Sequence, residues 1–162
     1  IYYISKNTNT LYKYLDVGHV LSTNRSGVSN VTVAPDGSWI FYIDSENNLK
    51  RMLPNNYNDT TKDTIVDTNI KLVSCKDSNN LMYVTNDNEV RVYIGEKQYW
   101  TSPSKEQYFD EASGTYKFRD LEGTIMNMNT GPQGPCCISV DNNGTIDCYE
   151  MIPDKQIVPP TE

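Results

Sequence analysis

The sequence has little of what builds helices, and it has no long apolar run. Alanine occurs only at Ala34 and Ala112, and no stretch longer than two turns carries apolar residues at helical spacing. Asparagine occurs 18 times, and 12 tyrosines accompany it. These residues favour turns and strands. The composition therefore predicts an all-β chain, and a transmembrane segment, which needs about 18 consecutive apolar residues, is not expected.

Basic residues and histidine are also scarce. The 162 residues include 14 Lys and Arg against 21 Asp and Glu, for a net charge of -7. Because there is no basic cluster to neutralise phosphates, we expect no nucleic-acid partner. The single histidine, His19, has no nucleophile beside it in sequence, and no Gly-rich phosphate loop is present. The sequence therefore predicts a protein that is not an enzyme.

Four segments of the chain resemble one another, and each consists of two strand-like runs around a polar turn. If Tyr3, Tyr42, Tyr83 and Ser139 are aligned, the repeats are spaced by 39, 41 and 56 residues. A further strand-like run precedes two of them, at 29–34 and at 69–75. Spacings near 40 are typical of four-stranded propeller blades, and the long interval indicates one blade plus an insertion of roughly 15 residues.

These repeats define the expected domain organisation. We predict one β-repeat domain over residues 1–152, with an inserted segment at about 102–135 that includes a hairpin or a ligand-facing loop. Residues 153–162 contain Pro153, Pro159 and Pro160 and are expected to form an extended tail. Since the chain starts at Ile1, in the middle of a repeat, we expect a processed or trimmed chain that holds at most four blades.

The second repeat carries a resemblance to a known family. The run from Val33 to Ile43 holds a Pro-Asp-Gly turn before an aromatic strand, and an Asn-Leu strand follows at 48–52. This pattern resembles the TolB-type propeller repeat. The third repeat, with Tyr99 and Trp100 after its hairpin, is similar to blades of fungal and bacterial propeller lectins. The resemblance implies propeller-like repeats of antiparallel hairpins; a β-sandwich with similar hairpins is the alternative.

Four cysteines predict two disulfides. If the turn of the fourth hairpin is centred between Asn142 and Asn143, Cys137 lies directly opposite Cys148. Cys136 then points to the other face of its strand, which leaves Cys75 as its partner. The alternatives are four free thiols in a cytosolic protein or a zinc site, although no Cys-x-x-Cys occurs.

Four N-x-[ST] sequons point to the same compartment as the cysteines. They begin at Asn24, Asn30, Asn58 and Asn143. Sequons combined with an even cysteine count favour a secreted glycoprotein, located outside the cell or on its surface. Asn143 would lie at the tip of a hairpin, where a glycan is easily accommodated.

Aromatic side chains supply the candidate ligand-binding residues. Sugars bind to flat aromatic faces flanked by hydrogen-bonding groups, and the chain offers Trp100, Tyr99, Arg91, Trp39 and Asp44. Trp39 also has the sequence context of a core residue. No cofactor is expected, although two turns, Asp44-x-Glu46-x-Asn48 and Asp141-x-Asn143-x-Thr145, alternate oxygen ligands as calcium sites do.

Two functions follow from these patterns. The first is an extracellular recognition or adhesion module that binds glycans or surface proteins, as lectins do. The second is a self-assembling structural subunit of an extracellular glycosylated filament or coat, in which incomplete repeats are completed by neighbouring copies.

Overall fold

The computed structural model describes residues 1–77, 80–94, 97–103, 105–120, 123–131 and 134–150. Within these ranges the chain forms sixteen strands and two short 3-10 helices, at Pro54–Asn56 and Thr60–Lys62. The all-β prediction is confirmed. No helix of the described part is long and apolar enough to cross a membrane.

The strands form four antiparallel sheets and one separate hairpin, in chain order. The first sheet holds β1 (Tyr2–Ile4), β2 (Leu11–Asp16) and β3 (His19–Arg25). The second holds β4 (Asn30–Val33), β5 (Ile40–Ile43), β6 (Leu49–Met52) and β7 (Thr64–Asp67). The third holds β8 (Ile70–Asp77), β9 (Asn80–Thr85), β10 (Glu89–Ile94) and β11 (Lys97–Pro103). The separate hairpin is β12 (Lys105–Asp110) with β13 (Thr115–Asp120), and the fourth sheet holds β14 (Thr124–Thr130), β15 (Pro135–Val140) and β16 (Ile146–Glu150).

The predicted hairpins are those of the structure: β1–β2, β5–β6, β9–β10 and β15–β16. The predicted inserted segment, at about 102–135, contains β12, β13 and β14. Among the described residues, β12 and β13 pair with each other and with no other strand, whereas β14, which lies inside the predicted insertion, is the first strand of the fourth sheet. The tail at 153–162 lies outside the described residues, and whether the sheets close into a propeller stays a prediction.

Left-handed backbone conformations shape the hairpin turns. Asn47, Asn88 and Gly144 occupy equivalent turn positions with φ of 62°, 68° and 80°. Asparagine and glycine tolerate this region better than other residues do. The carbonyl of Asn47 also accepts a hydrogen bond from the backbone N–H of Ile70 at 2.9 Å, and that of Asn9 accepts from Val28 at 2.8 Å. Turn asparagines therefore join each of these sheets to the buried residue that leads into the next one.

Consecutive sheets pack face to face, and a separate apolar cluster fills each of the three gaps. Leu11, Ile40 and Tyr42 lie between the first and second sheets. Phe41, Ile43 and Tyr83 lie between the second and third, and Val84, Val92 and Ile125 lie between the third and fourth. Since side chains alternate along a strand, neighbouring residues of β5 and of β9 point into different gaps. The core is thus a series of interfaces in chain order.

A tyrosine and an ion pair reinforce two of these interfaces. The Tyr42 hydroxyl donates to Asp63 at 2.5 Å, and Asp63 accepts from the Arg25 guanidinium of the first sheet at 2.6 Å. Burial, followed by the hydrogen bond to Asp63, raises the pKa of Tyr42 well above its usual range. At the next interface Tyr83 donates to Asp67 at 2.7 Å, and Asp67 also pairs with Arg91 at 2.6 Å. At the first of these interfaces the earlier sheet supplies the arginine, Arg25, and Asp63 directly precedes β7 of the later sheet. At the next interface the earlier sheet supplies the aspartate, Asp67, and the later sheet supplies the arginine, Arg91.

Candidate binding surfaces

Trp39 enters β5 from the Pro-Asp-Gly turn that the sequence analysis singled out. The Asp36 carboxylate accepts hydrogen bonds from Ser38, and Gly37 has φ of 73°. These contacts fix the turn and place the indole, which is half-buried, against the cluster between the second and third sheets. The guanidinium carbon of Arg51 lies 4.6 Å from the centre of an indole ring. One indole face is therefore engaged in a cation–π contact within the protein.

Asp44 lies at the other end of β5. Its Oδ1 accepts the backbone N–H groups of Glu46 and Asn48, each at 2.9 Å, and Oδ2 pairs with Lys50 at 2.7 Å. Burial raises the pKa of the Asp44 carboxyl, but Lys50 and the turn N–H groups outweigh that effect and hold this pKa below its usual value. Trp39 and Asp44 flank β5 and are five residues apart, about 16 Å along an extended strand, and side chains at an odd spacing point to opposite faces. Asp44 and Trp39 therefore do not line one cleft.

Arg91 belongs to the interface between the second and third sheets. It pairs with Asp67 at 2.6 Å and with Glu89 at 2.9 Å. Its partner Asp67 also accepts the Tyr83 hydroxyl, whose ring stacks on Tyr93 with centroids 5.4 Å apart. The charge of Arg91 is thus neutralised by two carboxylates of the same chain, Asp67 and Glu89. The backbones of Tyr99 and Trp100 belong to β11, but their side chains lie outside the described residues.

The register of the fourth hairpin corrects the disulfide prediction. β15 and β16 pair Ile138 with Cys148 and Cys137 with Tyr149, one residue away from the predicted register. The turn spans five residues, because the Asp141 N–H bonds the Thr145 carbonyl at 3.0 Å. Cys137 and Cys148 therefore point to opposite faces of the sheet, and their predicted pairing is wrong.

The second predicted disulfide, between Cys75 and Cys136, is not formed in the structure either. Cys75 packs against the cluster between the second and third sheets, and its thiol bonds the Asp77 carbonyl at 2.9 Å. Burial, followed by the nearby Asp77 and Asp36 carboxylates, raises its pKa to about 11.

The sequons differ in their exposure. Asn24, Asn58 and Asn143 are exposed, whereas Asn30 is half-buried in β4. Two of the exposed sites are neighbours, since the Asn24 side-chain amide donates to the Asn58 carbonyl at 3.4 Å. A glycan at Asn143 would extend from the turn of the fourth hairpin.

The two turns with alternating oxygen atoms share one hydrogen-bonding pattern. The Asp141 carboxylate accepts the N–H groups of Asn143 and Thr145, just as Asp44 accepts those of Glu46 and Asn48. Their spacing therefore has a structural explanation as an aspartate-capped turn. Among the described side chains, no three of the types His, Cys, Asp and Glu gather into a group that would hold a metal ion. His19, which is exposed, pairs with Asp16.

The surfaces that the sequence analysis missed are the two ends of the sheet series. We call the side of each sheet that faces the next sheet its forward face, and the opposite side its rear face. On the forward face of the fourth sheet, Ile138 is 38% exposed and Ile146 is 69% exposed. Their equivalents in the third sheet, Met82 and Val90, are 4% and 0% exposed.

The rear face of the first sheet is exposed as well, in the part of the chain that the structure describes. Tyr3 is 40% exposed, whereas the equivalent Tyr42 and Tyr83 are buried against the preceding sheets. Its ring stacks on Tyr12 with centroids 5.6 Å apart and an interplanar angle of 19°. The series therefore ends in an aromatic surface on one side and an aliphatic surface on the other.

No protein-family model and no curated protein matches the chain.

Proposed function

We propose that this chain is a non-enzymatic recognition and adhesion module that binds other proteins through the free faces of its terminal sheets. The observation that carries the proposal is the exposure of Ile138 and Ile146 at repeat positions that are buried in the preceding sheets. An apolar sheet face left open to water favours association, because covering it removes apolar area from water.

A protein ligand is better supported than a glycan. A sugar site needs an accessible aromatic face with free hydrogen-bonding groups beside it. One face of Trp39 is covered by Arg51, and Asp44 and Arg91 are held in ion pairs. The terminal faces, by contrast, offer the apolar and aromatic side chains that are typical of the centres of protein interfaces.

The module is proposed to act outside the cell or on its surface. The three exposed sequons, at Asn24, Asn58 and Asn143, support this location because a glycan could be attached there without disturbing the sheets. The cysteines do not add support, since none of them forms a disulfide in this structure.

An array that carries both extracellular proteins and glycans tests the proposed ligand class. Labelled protein is compared with Ile146→Lys, which places a charge on the free forward face, and with Trp39→Ala. Ile65→Lys is the matched control, because Ile65 is 59% exposed but lies in β7, within the series. We expect binding to protein spots that Ile146→Lys abolishes and that the other two variants retain.

Two results would contradict the proposal. Binding to glycan spots that is lost in Trp39→Ala and kept in Ile146→Lys would identify a lectin. A labelled protein that binds no spot at all would remove the basis for a recognition function.

The second candidate function is a structural subunit of an extracellular assembly. The observation in its favour is that the two free faces differ and lie on the first and the last sheet, so that one copy can bind a different neighbour at each end.

A further inference from the structure

The free face of the fourth sheet has the side-chain pattern of a face that another sheet covers. Three forward-face positions recur in every repeat: the residues aligned with Phe41, Ile43 and Leu49. In the second and third sheets all of them are at most 6% exposed, and the next sheet covers them. The fourth sheet has Ile138, Val140 and Ile146 at these positions.

The registers confirm that these residues share one face. Ile43 pairs with Leu49, Val84 pairs with Val90, and Val140 pairs with Ile146. Directly paired residues of an antiparallel ladder lie on the same side of the sheet. Ile138 and Ile146, which are exposed, and Val140, which is half-buried, therefore form one aliphatic patch, in the same arrangement that the third sheet presents to the fourth.

The internal interfaces also show what such a patch binds. The forward faces of the first and second sheets pack against rear faces that carry an apolar residue followed two positions later by a tyrosine: Ile40 with Tyr42, and Leu81 with Tyr83. At the third interface the equivalent residues are Cys137 and Ser139. The first sheet has the same pair in Ile1 and Tyr3, which are 84% and 40% exposed. Within the described part of the chain, the first sheet thus has the free rear face that matches the free forward face of the fourth.

We infer that the forward face of the fourth sheet binds the rear face of the first sheet of a second copy of this chain. The inference rests on the proposed function, since it names the partner of the same surface. The contact is heterologous: different surfaces of the two copies meet, so that each added copy presents a new free face at either end. Such a contact continues the internal packing of the sheets from one molecule to the next.

Complementation between two variants tests this geometry. Ile146→Lys blocks the fourth sheet and leaves the first sheet intact, whereas Tyr3→Lys does the reverse. Each purified variant is examined alone and in an equimolar mixture by sedimentation velocity at about 10–200 µM. Far-UV circular dichroism and thermal melting establish that both variants are folded. Ile65→Lys again serves as the control.

We expect the unmodified chain and Ile65→Lys to form concentration-dependent oligomers. Each of the two face variants should be monomeric, with self-association weakened at least tenfold, and their mixture should form a dimer and nothing larger. The mixture keeps one intact pair of faces, and the blocked faces prevent further growth.

Other outcomes would overturn the inference. A monomeric unmodified chain at 200 µM would exclude a second copy as the partner, and protein binding on the array would show that the proposed function still holds with a different protein. Self-association of Tyr3→Lys would indicate that two fourth sheets meet each other instead. A mixture that stays monomeric would show that the first sheet is not the acceptor.

Discussion

The substitution Asp63→Ala tests whether a buried ion pair holds the first two sheets together. The Asp63 carboxylate accepts hydrogen bonds from Arg25 Nε at 2.7 Å, from Arg25 Nη2 at 2.6 Å and from the Tyr42 hydroxyl at 2.5 Å. The side chains of Arg25 and Asp63 are only 2% and 4% exposed. Alanine removes all three bonds and leaves the guanidinium charge buried.

The burial of the pair sets the expected magnitude. Removing one partner of a buried ion pair costs about 3–5 kcal/mol, because the remaining charge loses its counter-charge without regaining water. Arg25 keeps its bonds to the backbone carbonyls of Thr23 and Tyr57, but these carry no full charge. We therefore expect Asp63→Ala to lower the free energy of unfolding by about 3–5 kcal/mol.

The second interface supplies a matched control. Asp67 bonds Arg91 and Tyr83 in a similar arrangement, but the Arg91 and Asp67 side chains are 25% and 19% exposed and Arg91 keeps Glu89. Water can hydrate the remaining arginine, so Asp67→Ala should cost only about 1–2 kcal/mol. Equilibrium urea denaturation, followed by circular dichroism and by tryptophan fluorescence, measures both losses.

A loss below about 1 kcal/mol for Asp63→Ala would place the buried pair in the range of surface ion pairs and refute the reasoning. Equal losses for the two variants would do the same, because the argument depends on the difference in burial.

Three further predictions concern the turns, a thiol and the sequons. Asn47→Ala should lower the free energy of unfolding by about 1 kcal/mol, because its φ of 62° lies in the left-handed region, which asparagine tolerates better than alanine does, whereas Asn47→Gly should change it little in the same denaturation assay. Burial of Cys75 raises the pKa of its thiol in the folded state above the value in the unfolded chain. The protonated thiol therefore contributes its full stabilisation below the unfolded-state pKa, and this stabilisation is lost as the pH rises from there to about 11. Over that pH range the melting temperature of Cys75→Ala should decline less steeply than that of the unmodified chain. On expression through a eukaryotic secretory pathway, mass spectrometry of glycosidase-treated peptides should find Asn143 modified and Asn30 not, since Asn143 is exposed and Asn30 is half-buried in β4; a modified Asn30 would contradict this burial.

The hairpins could be predicted because local signals agree in each of them. Alternating apolar residues set the strands, and Asn47 and Asn88 supply the left-handed turn position. The register predicted for the fourth hairpin is wrong, although the sequence contains the information that would correct it. Asp141 and Gly144 have the same spacing as Asp44 and Asn47 of the second hairpin, and this match specifies a five-residue turn. Comparison between the repeats would have placed Cys148 opposite Ile138.

The free faces could not be predicted in the same way. Ile138 and Ile146 follow the pattern of the buried positions in the other repeats, and a sequence pattern does not report whether a neighbouring sheet covers it. The roles of Asp63 and Asp67 were also hidden, because a carboxylate in a polar stretch is usually solvated. Only the packing of one sheet on the next brings these carboxylates to Tyr42 and Tyr83.

The division of the core into three separate clusters affects how the molecule would respond to mechanical load. Each cluster lies between two adjacent sheets, so the stability of the series is close to a sum of nearest-neighbour contributions, as in repeat proteins. If the molecule were stretched between its first and fourth sheets, we would expect it to extend in discrete steps as individual interfaces open. Such stepwise yielding would let an adhesive protein dissipate tension while its remaining sheets stay folded.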